Sequence, residues 1–310
     1  MAEFFLGIDT SNYTTSAALV KDGEVILNVK RPVQVKEGEH GIRQSDAVFS
    51  HVKSLPEVLS EIGAQELCAV GVSTRPRDMD GSYMPCFLAG KAAAVGIASL
   101  SGVLLYEVSH QWGHLMAALY GAGRVDLYGQ DFLAFHVSGG TTELLRVRGR
   151  AVEKVGGTLD LNAGQVIDRI GVKMGVPFPA GKGLEEIAIP FHETDCHSRV
   201  QGLTCNLSGL ENKADALLSA GESREKVAAY VLKSVCRTLE KLTDNAFAEF
   251  GKQPVLYAGG VMSNRLIKEA LTKRFPQWAH FAPPVYSADN AAGVALLAER
   301  MHREFKNKLF

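Results

Sequence analysis

The chain has 310 residues, 46% of them hydrophobic, and its 33 basic and 34 acidic side chains leave a net charge of -1. That size and apolar fraction are enough for one large core or two medium ones, and two lobes are expected. A near-neutral chain has no global field to draw it to nucleic acid or membrane, so any RNA contact must be local or shared with a partner.

The opening segment, MAEFFLGIDT, has no basic stretch ahead of a long apolar one, and no run of about 18 uncharged apolar residues follows. A cytoplasmic protein without membrane association is expected. Cys68, Cys86, Cys196, Cys205 and Cys236 are scattered, with no CxxC, which predicts reduced thiols and no structural zinc knuckle.

In chain order, Phe4 to Ile8 reads as an apolar strand, Asp9 to Thr15 as a hydroxyl-rich turn and Ser16 to Val20 as a second strand. Asp22-Gly23 then signals a tight turn into a third strand over Glu24 to Val29. Residues 36–45 are polar and glycine-containing, and predict a loop that delivers Ser45 as the N-cap of a helix reaching Ile62. His51 falls within that helix. A strand over Ala69 to Ser73 leads to TRPRDMDGSYMP, which is either a binding loop or a solvated connection. An alanine-rich helix (Phe87 to Leu100) and a buried strand (Val103 to Val108) follow.

In VSHQWGHLMAALYG, Ser109 is expected to be the N-cap of a helix that puts His110 and His114 four residues apart on one face. That spacing suits two imidazoles on one metal ion, though it also arises in any helix with two histidines. It matches a zincin HExxH except that Gln111 replaces the general-base glutamate, which argues against peptide hydrolysis by that route.

The stretch LAFHVSGGTTELLRV (133–147) repeats the layout of the first hairpin, with Ser138-Gly139-Gly140-Thr141-Thr142 at its tip. Adjacent glycines let backbone N–H groups come close to phosphate oxygens, and the alternative is an ordinary tight hairpin. Asp160 precedes a helix from Ala163 to Met174 that carries Asp168. Such carboxylates can bond a ribose, hold Mg²⁺ or simply cap a helix, and capping is the expectation for Asp160. PFPAGKG (177–183) breaks that helix, and residues 190–206, with His192, Asp195, Cys196, His197 and Cys205, read as a surface loop. Glu222 to Phe250 is a core helix with Val227, Val231, Val235, Leu239 and Leu242 on one stripe. The strand Val255 to Ala258 ends in Gly259-Gly260, which lets a following helix N-terminus meet a ligand closely. Asp289 stands before the last helix as a cap or as a carboxylate metal ligand beside His110 and His114.

Taken together GIDTSNYTTSAALV, HQWGH, VSGGTTEL, GGTLDLNAGQVID, PFPAGKGLE, LSGL, AGGVMSNR and SADNAA, in this order over nearly the whole chain, resemble the TsaD/Gcp family, which includes the Kae-type proteins. The resemblance implies an α/β, two-lobed, actin-like and sugar-kinase-like ATPase fold with a nucleotide in its cleft. Lobes at 1–108 and 109–288 are expected, with 289–310 a helix returning to the first. It further implies transfer of a threonylcarbamoyl group from threonylcarbamoyl-adenylate to the adenosine beside the anticodon of tRNA. By the same resemblance His110, His114 and Asp289 fall on ligands of a divalent iron or zinc, with His136 where a tyrosine ligand occurs in archaeal members. His136, Val137, Ser138, Gly139 and Gly140 fall on the phosphate-side loop, and Asp168, Gly181 and Asn264 on adenine-nucleotide contacts. The partners it implies are tRNA and a TsaB-like subunit or a second copy of the chain.

The chain departs from the family pattern in its first turn, where Ser11-Asn12-Tyr13-Thr14-Thr15 replaces SCDET and both acids are lost. The TRGPGL loop is also replaced, SGLKT has become Ser208-Gly209-Leu210-Glu211-Asn212, and PGG has become Pro179-Ala180-Gly181. A divergent paralogue follows, either a transferase or a nucleotide- and metal-binding regulatory module that has lost the chemistry, with hydrolysis a third reading. No catalytic residue is assigned from the sequence.

Overall fold

The computed structural model describes residues 3–34, 42–63, 65–189, 191, 193–287 and 291–308. The chain divides into two compact units, residues 1–120 with 285–310, and residues 121–284.

The first unit is built on β1 (Phe4–Ser11), β2 (Thr14–Lys21) and β3 (Glu24–Pro32), followed by α1 (Gln44–Ile62), β4 (Leu67–Arg75), α2 (Phe87–Ser101), β5 (Leu104–Ser109) and α3 (His110–Gly121). Its sheet runs β3-β2-β1-β4-β5, an antiparallel meander extended by two parallel strands. Asp22 and Gly23 both take positive φ, as a two-residue Asp-Gly hairpin turn requires. The C-terminal helix, Ala292–Asn307, lies on β1, β2 and β4. Two glycines that are partners in the β1–β4 register make that approach possible. A Cβ on Gly71 would stand 2.7 Å from the carbonyl oxygen of Val294, and one on Gly7 would overlap the backbone of Ala291 and Ala295. Gly293 likewise abuts the Gly113 carbonyl of α3. This packing puts α3 in the first unit, so the division falls at residue 121 instead of 109.

The second unit contains β6 (Phe132–Val137), β7 (Thr142–Arg148), β8 (Ala151–Thr158), α4 (Ala163–Lys173), α5 (Gly181–Ile187), β9 (Arg199–Gln201), β10 (Thr204–Asn206), α6 (Ser208–Ser219), α7 (Arg224–Phe250), β11 (Val255–Ala258), α8 (Arg265–Arg274) and β12 (Ala279–Phe281). Its sheet order is β12-β11-β6-β7-β8-β10-β9. Strands β6, β8, β10 and β11 run the same way, so their carboxyl ends share one edge, where ligands collect in open α/β sheets. The stripe Val227, Val231, Val235, Leu239 and Leu242 of α7 is buried as its spacing predicts. Phe135, Tyr257 and Phe281 stack across β6, β11 and β12, and the Tyr257 hydroxyl is matched to Thr243 at 2.8 Å. No helix among the described residues is long and apolar enough to cross a membrane.

Three local expectations are corrected. The chain segment from Asp9 to Thr15 is mostly strand: only Asn12 and Tyr13 form the turn, while Asp9, Thr10, Ser11 and Thr15 sit in the ladder with their side chains buried. Ser45 is not the N-cap of α1. That position belongs to Arg43, which makes no side-chain cap bond, and Ser45 lies inside the first turn. Within 190–206, two short strands, β9 and β10, extend the sheet and bury Cys205. His192 lies outside the described residues, as do residues 36–41 of the expected loop.

Candidate functional site

In the second unit, the hairpin between β6 and β7 is latched to the start of α4. Asn162 and Gln165 form a reciprocal capping box there, so α4 begins at a fixed point. The Gly164 N–H donates to the Ser138 carbonyl at 3.2 Å, and the Ala163 N–H to Thr142 Oγ1 at 2.9 Å. Gly164 must be glycine for this: a Cβ would lie 2.6 Å from the Gly139 nitrogen and 2.7 Å from its Cα. Gly139 and Gly140 face open space instead, with nothing within 4 Å of a Cβ built on either.

The tip is less open to phosphate than its sequence implies. The Ser138 N–H donates to the Thr141 carbonyl at 2.7 Å, and the N–H groups of Gly140 and Thr141 donate to Ser138 Oγ at 3.3 and 3.1 Å. Of the amides from 138 to 141, Gly139 alone has no acceptor among the described residues.

Beside the tip is a cavity of about 500 Å³. It is lined by Gly139, Asp168, Gly181 and Asn264, residues that lie far apart in the chain and that the family resemblance assigns to nucleotide. Each is held by a separate device. Asp168 accepts the Ala180 N–H through Oδ1 at 2.8 Å, which ties the loop before α5 to α4 and leaves Oδ2 uncommitted. Asn264 caps α8 by accepting the Ile267 N–H at 3.1 Å. Gly259, at φ 103°, packs directly on the Val137 carbonyl, so the ends of β6 and β11 stay in contact. Lys182 and Glu185, which the sequence does not single out, share the same lining. Glu185 accepts the Arg265 N–H at 2.9 Å and so fixes the start of α8. Val137, Ser138, Gly140 and His136 belong to the same strand and tip but do not line the cavity.

Asp160 does cap a helix, but a distant one. Its carboxylate accepts the N–H groups of Leu207 (2.7 Å) and Ser208 (3.2 Å) and the Ser208 hydroxyl (2.6 Å) at the start of α6. Burial alone would raise this carboxyl. The Ser208 hydroxyl and the amides of Leu207, Leu161 and Ser208 outweigh it and hold Asp160 well below the usual carboxylate range.

In the first unit, Ser109 caps α3 by accepting the Trp112 N–H at 3.2 Å, as its position predicts. The rings of His110 and His114 lie 4.3 Å apart, edge to face. Behind them is a residue that the motifs do not single out. Asp9 on β1 is fully buried, accepts hydrogen bonds from Ser11 Oγ (2.7 Å) and Ser73 Oγ, and meets His110 Nδ1 at 3.2 Å. Burial pushes its carboxyl upward, but the adjacent His110 and the hydroxyls of Ser73 and Ser11 outweigh burial and hold it below the usual carboxylate range. A carboxylate is acceptor-only, so His110 carries its proton on Nδ1 and presents Nε2 elsewhere. The signal that could have found Asp9 is an acid inside an apolar strand. His51 is also buried, with Nδ1 2.8 Å from Thr15 Oγ1 and Nε2 lacking any partner among the described residues. Burial lowers its pKa, against the pull of Asp9.

Two imidazoles, one oriented by a buried carboxylate, fit the nitrogen donor chemistry of iron or zinc. His136 is placed in the second unit on β6, paired with Glu143, and Asp289 lies outside the described residues. No group of three or more metal-binding side chains occurs among the described residues.

The sequence pattern of the TsaD family, tRNA N6-adenosine threonylcarbamoyltransferase, matches residues 29–296. The chain belongs to this family. It is 31% identical to a tRNA N6-adenosine threonylcarbamoyltransferase of Thermus thermophilus, over 97% of this chain and 93% of that protein. The enzyme of the same name from Methanopyrus kandleri is 27% identical over 96% and 87%. Among solved structures, full-length HypF in its phosphate- and nucleotide-bound form superposes with a TM-score of 0.63 at 12% identity, over 95% of this chain and 46% of HypF. Component A of the (R)-2-hydroxyglutaryl-CoA dehydratase of Acidaminococcus fermentans gives 0.55 at 17% identity, over 97% and 99%. These likenesses show the fold, which is the actin-like, sugar-kinase-like ATPase fold.

Proposed function

We propose that the protein transfers a threonylcarbamoyl group from threonylcarbamoyl-adenylate to N6 of an adenosine in tRNA. The observation that carries this reading is family membership over nearly the whole chain, joined to a cavity that gathers Gly139, Asp168, Gly181 and Asn264. In the reaction N6 attacks the carbamoyl carbonyl, the new C–N bond forms, the bond from that carbon to the phosphate oxygen breaks, and AMP leaves. The N6 proton passes to water or to a non-acidic neighbour, since Tyr13 and Thr14 stand where the family pattern SCDET has its acids.

The phosphate is assigned to the Gly139 amide, the one tip N–H still unspent, and the nucleoside to Asp168, Gly181 and Asn264. Asp168 Oδ2 is an acceptor for ribose hydroxyls, and the Asn264 amide nitrogen is a donor to the ligand. Glu185 and the Asp168–Ala180 bond hold these groups in place, so positioning supplies much of the rate. His110 and His114, with Asp289, are assigned to a divalent iron or zinc, and Asp9 is the positioning residue that orients His110. Such an ion supplies Lewis-acid polarisation of a substrate oxygen.

The test is nucleoside analysis by mass spectrometry of tRNA incubated with threonylcarbamoyl-adenylate and the protein, alone and with candidate partner subunits. Threonylcarbamoyladenosine is the expected product. Nucleotide binding without that product under every partner condition would overturn the reading in favour of a regulatory role.

A further inference from the structure

The chain as a whole is neutral, yet one edge of the second unit is not. His197, just before β9, is fixed by donation of its N–H to Ser234 Oγ on α7 at 2.9 Å. Its ring then faces α6, where Lys213 Nζ lies 3.2 Å from Nδ1 and a Cβ on Gly209 would lie 3.9 Å from Nε2. Lys213 is a donor only, so Nδ1 accepts and the ring is neutral. Burial and the charges of Lys213, Lys241 and Arg199 all push its pKa down. Three cations from three elements, β9, α6 and α7, therefore stand around one neutral imidazole.

None of Arg199, Lys213 and Lys241 has a carboxylate partner among the described residues. The acids next to Lys213 and Lys241 on α6 and α7 are committed elsewhere, which leaves Asp195, two residues before His197, as the neighbouring acid without an ion pair among the described residues. Glu211 and Asp215 of α6 pair with Arg169 and Lys173, Glu240 of α7 pairs with Arg237, and Asp244, three residues beyond Lys241, pairs with Arg274. Asp160 is spent on the start of α6. Arg199 and Lys213 are exposed and Lys241 is half-buried, so the cluster is open to a large anion.

The position of the cluster also matters. Arg199 pairs with Asn206, the carboxyl end of β10, so it lies on the sheet edge that also carries the Ser138–Thr141 tip and the cavity. We propose that Arg199, Lys213 and Lys241 form the surface on which this chain takes the phosphate backbone of its RNA substrate. The proposal rests on the tRNA reading above and identifies where a neutral protein finds the local charge that reading needs. A backbone with one charge per nucleotide matches several cations spread over one edge, and each phosphate neutralised releases counterions.

The test is tRNA binding by the full chain, followed by fluorescence anisotropy over a range of salt concentrations, for wild type and for Arg199→Ala/Lys213→Ala/Lys241→Ala. All three side chains lack carboxylate partners, so the variant should keep its unfolding temperature and its affinity for adenine nucleotide. Its tRNA affinity should fall at least tenfold. The slope of log K against log salt should flatten by about 0.7–0.9 for each phosphate that is no longer neutralised, up to roughly 2–3 in all. Lys213→Gln alone should flatten the slope by the amount that belongs to a single phosphate. An unchanged slope and affinity in the triple variant, with wild type binding tRNA normally, would overturn the assignment and leave the transferase reading intact. Absence of tRNA binding by wild type, alone and with a partner subunit, would instead remove the reading on which it rests. A variant that binds tRNA normally but no longer binds poly-glutamate would give the cluster to an acidic protein and overturn the proposal.

Discussion

Gly139 and Gly164 touch, and they make opposite demands on a side chain. At Gly164 a methyl group would meet the Gly139 nitrogen at 2.6 Å and the Ser138 carbonyl carbon at 2.7 Å, all backbone and unable to yield by rotation. Gly164→Ala must therefore pry the hairpin tip from α4. The overpacking costs about 1–3 kcal/mol, and loss of the Gly164 to Ser138 hydrogen bond adds about 1 kcal/mol. Helix propensity returns about 1 kcal/mol in favour of alanine. The net loss is about 1–3 kcal/mol, and for a unit of this size each kcal/mol moves Tm by about 2–4 °C, so unfolding should come roughly 2–12 °C earlier. At Gly139 nothing stands within 4 Å, and φ is not positive, so Gly139→Val should leave stability within about 0.5 kcal/mol. Its side chain would enter the cavity, however, and cover the one free amide of the tip. Nucleotide affinity should fall at least tenfold, about 1.4 kcal/mol. The assays are thermal unfolding with and without an adenine nucleotide, and titration calorimetry with the same ligand. A stable Gly164→Ala protein, or a Gly139→Val protein that keeps wild-type affinity, would refute the latch and the phosphate assignment respectively.

The buried Asp9 gives a second prediction: Asp9→Asn keeps the shape but removes the charge behind His110, and should lower iron or zinc affinity about 10–100-fold while His114 stays in place. Chelator competition with wild type, Asp9→Asn and His110→Ala checks it, and metal content equal in all three would refute the site. Asp160 gives a pH prediction. Its folded pKa is depressed, so its contribution is present above the unfolded carboxylate value near 3.9 and is lost as pH falls through the folded value. Asp160→Asn should therefore lose stability at neutral pH and be closer to wild type in strong acid. Denaturant midpoints at about pH 7 and in the most acidic buffer in which wild type still folds cooperatively would measure the difference, and an equal gap at both would refute the role.

Much of the fold is legible in the sequence because its signals are local. The Asp-Gly turn, the Ser109 cap, the α7 stripe and the strand ending in Gly259 each depend on residues a few positions apart. What escapes depends on distance in the chain. Asp160 looks like a cap for the helix that follows it, yet its acceptors are filled by residues 207 and 208, and only the pairing of β8 with β10 brings them close. Strands β9 and β10 are three residues each, too short to show a period. The start of α1 is misplaced by sequence pattern because Ser45 has the right chemistry, while Arg43 holds the cap position without a side-chain bond. Lys182 and Glu185 lie in PFPAGKGLE without a role assigned to either, and the cavity brings them beside Asp168.

The two hairpins that echo each other in sequence have taken different work. In the second the strands stop at Val137 and Thr142, and the glycines are left at an exposed tip where a ligand can reach the backbone. In the first the ladder continues through Ser11 and Thr14, so the hydroxyls and Asp9 turn inward and their hydrogen bonds are made within the unit. The loss of both family acids, at Tyr13 and Thr14, leaves this inner network untouched, because Asp9 is reached through β1 and not through the turn. What remains is a buried carboxylate that sets the tautomer of His110, which shapes a site without itself exchanging protons with substrate. On the proposed reading such a chain works by positioning its substrate, and the proton of the attacking nitrogen goes to water or to a non-acidic neighbour. General-base help is worth about 10²–10⁴-fold, so transfer by this protein should be slower than by relatives that keep the acids, by a factor in that range.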